Sequence, residues 1–224
     1  MLNKLKRRWM KLRLQPIQVY CQHHVCTTFE ADSMIACDWT DIAEFKTKIQ
    51  AMRKEGVEFI SLTEAYRHIC EDLVRCKKYA VITFDDGYAS LKEILPWLEE
   101  QHIPATLFIN GKYLDGKSYR KNLKERYLKK EELWALTSPL IEIGSHGWEH
   151  VEATGMTLED FKASEEKNAA ILSKHPRYVP FYAYTYGKHS AEEDVYLLSI
   201  GKVPVLIDGV DNYNDTLNIH RILL

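Results

Sequence analysis

Short apolar runs alternate with longer amphipathic stretches along most of the chain, which predicts strands interleaved with helices. Ile17-Gln-Val-Tyr20 reads as a first strand, and a helix is predicted from a Thr40/Asp41 start to Glu55, with Gly56 as its stop. A strand at Val57–Ile60, a helix opening near Ser61 and a strand at Tyr79–Phe84 follow. Further helices are expected at about 90–101, 130–136, 157–173 and 191–199. Further strands fall at 104–109, 140–143, 178–184 and 203–207, and the tail from Leu217 adds a closing strand. Residues 26–38 read as a loop over one mouth of the fold, and the Lys- and Tyr-rich stretch 112–130 as a solvated excursion. Strands and helices alternating at these intervals predict parallel βαβ units, arranged as a barrel or an open sheet.

Two of the strands end in chemistry. Tyr79–Phe84 runs into Asp85-Asp86-Gly87, delivering adjacent carboxylates to a strand's C-terminal end, where the glycine lets the chain turn away. Neighbouring buried carboxylates repel each other and call for a compensating positive charge such as a metal ion. Leu140–Gly144 is followed by His146 and His150. On one helical turn, residues four apart share a face, so both imidazoles are expected to reach one ion while Glu149 points away. One Asp and two His make a common open shell for a catalytic divalent metal.

Thr83-Phe-Asp-Asp-Gly-Tyr-Ala-Ser90, followed by Glu142-Ile-Gly-Ser-His-Gly-Trp-Glu-His150, resembles the polysaccharide deacetylase family, over roughly residues 15–224. The resemblance implies a single-domain α/β fold, a distorted (β/α)7 barrel. It also implies a metal set of Asp86, His146 and His150, with Zn2+ first and Co2+, Ni2+, Fe2+ or Mn2+ also fitting these donors. Asp85 matches the family's catalytic base. Phe181-Tyr-Ala-Tyr-Thr-Tyr-Gly187 resembles the family's third motif with Thr185 in place of proline, a change expected to loosen the loop; a backbone N–H near Tyr186 would serve the oxyanion. His23 matches an opening-motif histidine that lines the pocket and orients a ligand or the water. Near the C-terminus two readings stay open. Either His220 is the acid that protonates the leaving amine, or Arg221 is the aligned residue and His220 is incidental. The implied function is hydrolytic removal of an N-acetyl (or O-acetyl) group from a sugar in a glycan or glycan precursor, as in cell-surface polysaccharide biosynthesis. A C–N hydrolase acting on a small non-sugar amide and a weakly catalytic glycan-binding protein are the alternatives.

Composition adds bounds. A length of 224 residues with 46% apolar content fits one domain: a basic extension at 1–15 and a catalytic domain at 16–224. Thirty basic and 32 acidic residues, net −2, give no case for nucleic-acid binding. Cys21, Cys26, Cys37, Cys70 and Cys76 are odd in number and lack C-x2-C spacing, which argues against a disulfide framework and fits a reducing, cytoplasmic setting. Residues 1–16 carry six basic residues and no apolar signal-peptide core, and no run is long enough to span a bilayer. Leu2, Leu5, Trp9 and Leu12 would suit a weak contact with an anionic membrane face, although a solvated basic helix is the plainer reading.

Overall fold

The computed structural model describes residues 14–27, 39–72, 74–117 and 126–224. Most of the 1–15 extension and of the 26–38 loop, and residues 118–125 of the excursion, lie outside the described residues.

Each predicted helix forms within two residues of its expected bounds, and capping chemistry explains most of the starts. Helix α1 (Ile42–Lys54) begins behind Asp41, whose side chain accepts from the Ala43 and Glu44 N–H groups. Helix α2 (Leu62–Glu71) is capped by Ser61. Helices α3 (Leu91–Glu100) and α4 (Lys130–Trp134) follow. Thr157 caps α5 (Leu158–Leu172), and a Ser190/Glu193 capping box opens α6 (Ala191–Ser199).

The strands are β1 (Ile17–Gln22), β2 (His24–Cys26), β3 (Trp39–Asp41), β4 (Val57–Phe59), β5 (Lys78–Phe84), β6 (Ala105–Ile109), β7 (Ile141–Ser145), β8 (Tyr178–Ala183), β9 (Val203–Val205) and β10 (Ile222–Leu223). The main sheet runs β10-β1-β5-β6-β7-β8-β9, every pairing parallel, with β4 also on β5. The short parallel pair β2–β3, which the apolar pattern does not predict, stands apart from it. The tail closes the sheet: Ile219 exchanges backbone bonds with Pro204 and Leu206 beside β9, and β10 then pairs with β1. The result is the expected distorted (β/α)7 barrel.

Strand parity decides what faces the barrel's interior. Ile82, Phe84, Leu107 and Ile143 join Phe45, Ile49, Ile94 and Leu98 of the helices in one buried cluster. The alternate residues, Val19, Val81, Phe108, Phe181 and Val205, form a second cluster inside, against which α2 packs Leu62, Ala65 and Ile69. Burying each such side chain contributes about 1.5–3 kcal/mol. Gly144 is an inward position where only glycine fits: a Cβ there would lie 2.6 Å from the Phe108 ring. One step beyond each strand, the inward parity delivers Asp85 after Val81 and Thr83, and His146 after Gly144.

Candidate active site

Asp85 is buried and held by both arms of a fully buried Arg221. Arg221 Nη1 donates to Oδ1 at 2.6 Å and Nη2 to Oδ2 at 2.9 Å. The remaining guanidinium donors reach Thr83 Oγ1 (3.1 Å) and Leu206 O (3.2 Å). This forked, charge-assisted geometry is the strong form of the interaction. Burial alone pushes the Asp85 carboxyl up, but the Arg221 and His146 charges outweigh it and hold it at about 2. The closing tail therefore brings in the cation that the paired carboxylates require.

Asp86 faces the histidines. Its Oδ1 lies 3.4 Å from His146 Nε2 and 2.9 Å from His150 Nε2. The three ligand atoms all lie within 4.8 Å of one another. A tetrahedral ion with bonds of about 2.0–2.1 Å places such atoms about 3.3 Å apart, so the donor set fits a divalent transition metal. His146 donates Nδ1–H to Ala183 O at 2.8 Å, which leaves Nε2 as the ligand atom. Burial pushes Asp86 up, yet His150 and His146 hold it well below the usual carboxylate range. Burial likewise pushes His146 down, and the two carboxylates more than reverse it. The site favours positive charge.

The histidines do not share a helical turn. Residues 146–150 form a loop in which Gly147 (φ 74°) and His150 (φ 54°) are left-handed, and this bend folds His150 back onto Asp86. Glu149 points out of the site as expected, but it pairs with Lys112 across the rim rather than standing on the far side of a helix. Of four non-glycine residues with positive φ among the described residues, three are Asp86 (71°), His150 and Tyr186 (58°). Each costs about 1–2 kcal/mol, a local strain concentrated at the site.

The loop is braced from below by a face of α5 that the motifs do not reveal. Ser145 Oγ donates to Glu165 Oε2 at 2.5 Å, and Glu165 is paired with Lys202. Asn168 Nδ2 donates to Ser145 Oγ (2.7 Å) and Ile109 O (3.0 Å), while its Oδ1 accepts from Gly111 N. Ser164 Oγ accepts from Trp148 N. Asn110 Nδ2 donates to His146 O. The buried stripe of α5 is Phe161, Glu165, Asn168 and Leu172. Two polar residues in an otherwise apolar stripe are the sequence signal that marks the brace.

The other expected residues fall as follows. Tyr186 is 63% exposed with its ring edge-on to His150 at 4.8 Å, so it walls the site. The two bonds of its turn come from Gly187 N and Lys188 N, leaving the Tyr186 N–H outside them. Thr185 is buried, and its hydroxyl donates to His146 O at 3.3 Å, an anchor that a proline could not supply. A ring nitrogen of half-buried His23, Cys21 Sγ and an Asp85 oxygen lie within 4.8 Å of one another. His220 is not brought to the site. Its Nδ1 meets Asp208 (2.8 Å) and its Nε2 meets Asp215 (3.3 Å), because strand-like alternation in the tail turns Arg221 inward and His220 away. Of the two C-terminal readings, the geometry supports Arg221.

A family model described as polysaccharide deacetylase matches residues 72–201. The chain belongs to the polysaccharide deacetylase family. It is 28% identical over 115 residues to YxkH of Bacillus subtilis (strain 168), which carries a polysaccharide deacetylase name. That match covers 51% of this chain and 38% of the relative, so the chain spans about two fifths of the length of the curated relative it matches. The fold is shared with IcaB from Ammonifex degensii (TM-score 0.77, 21% identity, 95% of this chain and 93% of that one). It is shared also with the Streptococcus pyogenes deacetylase PplD, whose structure is a complex with acetate (TM-score 0.75, 17% identity, 94% and 93% covered). No helix among the described residues is long and apolar enough to cross a membrane.

Proposed function

We propose that this protein is a metal-dependent hydrolase that removes the acetyl group from an N-acetylated sugar of a glycan or glycan precursor. The observation that carries the reading is the division of labour between adjacent carboxylates. Asp86 faces two imidazoles at ligand spacing, while Asp85 is clamped in its ionised form by Arg221 and stands beside them. Metal binding alone does not need Asp85; hydrolysis does.

A divalent ion on Asp86 Oδ1, His146 Nε2 and His150 Nε2, with Zn2+ the best match to two imidazoles and a carboxylate, would polarise the acetyl carbonyl and lower the pKa of water towards ~7. Asp85 takes the proton of the attacking water as the oxygen–carbon bond forms. The Tyr186 N–H, outside the hydrogen bonds of its own turn, would donate to the developing oxyanion. With His220 engaged elsewhere, His23 is the remaining imidazole at the carboxylate pair, and it hands a proton to the nitrogen as the carbon–nitrogen bond breaks. The products are acetate and the free amine.

Metal content and acetate release from N-acetylglucosamine oligomers, compared between the parent and Asp86→Ala, test the reading. One divalent ion and acetate release are expected in the parent, both lost in the variant. Undiminished release by Asp86→Ala would overturn it. In the same assay His23→Gln should keep the ion and lose roughly 10²-fold in kcat, the low end of what a general acid contributes. An unchanged kcat would remove His23 from the mechanism.

A further inference from the structure

We propose that Cys21, His23 and Asp85 form a second, inhibitory site for a soft divalent cation such as Zn2+, beside the group formed by Asp86, His146 and His150. The functional consequence rests on the hydrolase reading above; the existence of the site does not.

Cys21 is the last inward residue of β1, fully buried, with its Sγ 3.4 Å from Asp85 Oδ2. A tetrahedral Zn2+ with bonds of about 2.3 Å to sulfur and 2.0 Å to oxygen sets these two atoms about 3.5 Å apart. The thiol and carboxylate thus already stand at the spacing of one coordination edge. A ring nitrogen of His23, within 4.8 Å of both and on a half-buried residue in the bend after β1, is the third donor. Thiolate, imidazole and carboxylate select zinc-like ions over Mg2+ or Ca2+, which prefer all-oxygen shells.

The Arg221 clamp does not close the site. Its shorter bond is to Asp85 Oδ1 (2.6 Å), whereas Oδ2, the oxygen next to Cys21, holds the longer one (2.9 Å). When a cation takes Oδ2, Arg221 Nη2 loses its bond there while Nη1 keeps its bond to Oδ1. Burial keeps the thiol protonated well above its usual range, so binding exchanges the proton: the S–H bond breaks, the S–metal bond forms and one H+ leaves to solvent. Asp85, Asp86 and the thiolate supply three negative charges against Arg221 and two dications, so the second ion binds more weakly than the first and fills only in excess. Once bound, it occupies the base's oxygen and the His23 nitrogen, and neither can then move a proton.

The test starts from protein carrying one equivalent of Co2+ and adds a second, following the thiolate-to-cobalt charge-transfer band. The parent should gain the band with the second equivalent. Cys21→Ser, which keeps a hydrogen-bond donor on Asp85 and removes the soft ligand, should not. No band in the parent, or the same band in Cys21→Ser from another cysteine, would overturn the site. In parallel, excess Zn2+ should suppress acetate release by the parent, and Cys21→Ser should need at least tenfold more. Equal sensitivity of the two would refute the inhibitory role. If neither protein releases acetate, the hydrolase reading fails while the cobalt spectrum still decides the site.

Discussion

Asp85→Asn should cost about 10²–10⁴ in acetate release and leave metal content unchanged. The substitution preserves shape and removes the ability to accept a proton, and Asp85 is not among the three residues whose ligand atoms converge at Asp86. It also leaves Arg221, fully buried, opposite a neutral amide, so the variant should be less stable as well as inactive. The two effects separate experimentally. Metal content and kcat are measured on one folded sample well below its unfolding midpoint, where a merely destabilised enzyme would retain its turnover. Turnover within a few-fold of the parent under those conditions would remove Asp85 from proton transfer and return it to a structural role.

Much of this site is legible from strand parity and motif order, and its gaps have identifiable physical causes. The run 79–84 announces both the strand and the carboxylates at its end, because a period of two and an apolar, β-branched composition are local properties. The spacing of His146 and His150 is legible, but its interpretation as a helical turn is not sound. The same four-residue spacing is met by a loop with left-handed residues at 147 and 150, and glycine at 147 is the only local hint of it. Arg221 becomes visible only through the family resemblance, since its partner lies 136 residues away and no periodic pattern links the tail to β5. The same holds for Cys21, an ordinary apolar-looking residue in a strand until the sheet register sets it beside Asp85. Glu165 and Asn168 were accessible in principle. Helical positions 161, 165, 168 and 172 share a face, and polar residues on a face that must be buried need partners. What no local pattern could show is that those partners would be Ser145 and the loop that carries the histidines.

The second large effect belongs to Arg221, and it is on stability. Arg221→Met keeps most of the side-chain volume while leaving the Asp85 carboxylate buried without its cation, and it removes the donors to Thr83 Oγ1 and Leu206 O. Breaking a buried ion pair on one side costs about 3–5 kcal/mol, a large share of the roughly 5–15 kcal/mol that holds a domain folded. Urea unfolding should show this loss at neutral pH. Its pH dependence follows from the pairing. In the parent, Asp85 is held at about 2 against an ordinary 3.8, so it contributes about 2 kcal/mol that is present above the ordinary value and is lost as pH falls through about 2. Without Arg221, the burial that pushes the carboxyl up is opposed chiefly by His146, and the stabilising contribution should shrink or change sign. The gap between parent and variant should therefore narrow as pH is lowered. Combining Arg221→Met with Asp85→Asn removes both charges, and the pair should cost clearly less than the sum of its parts, since each single change leaves an uncompensated partner that the double change does not. Additivity within about 0.5 kcal/mol would mean that the two side chains touch without depending on each other, and the tail would then close the barrel by its backbone bonds alone.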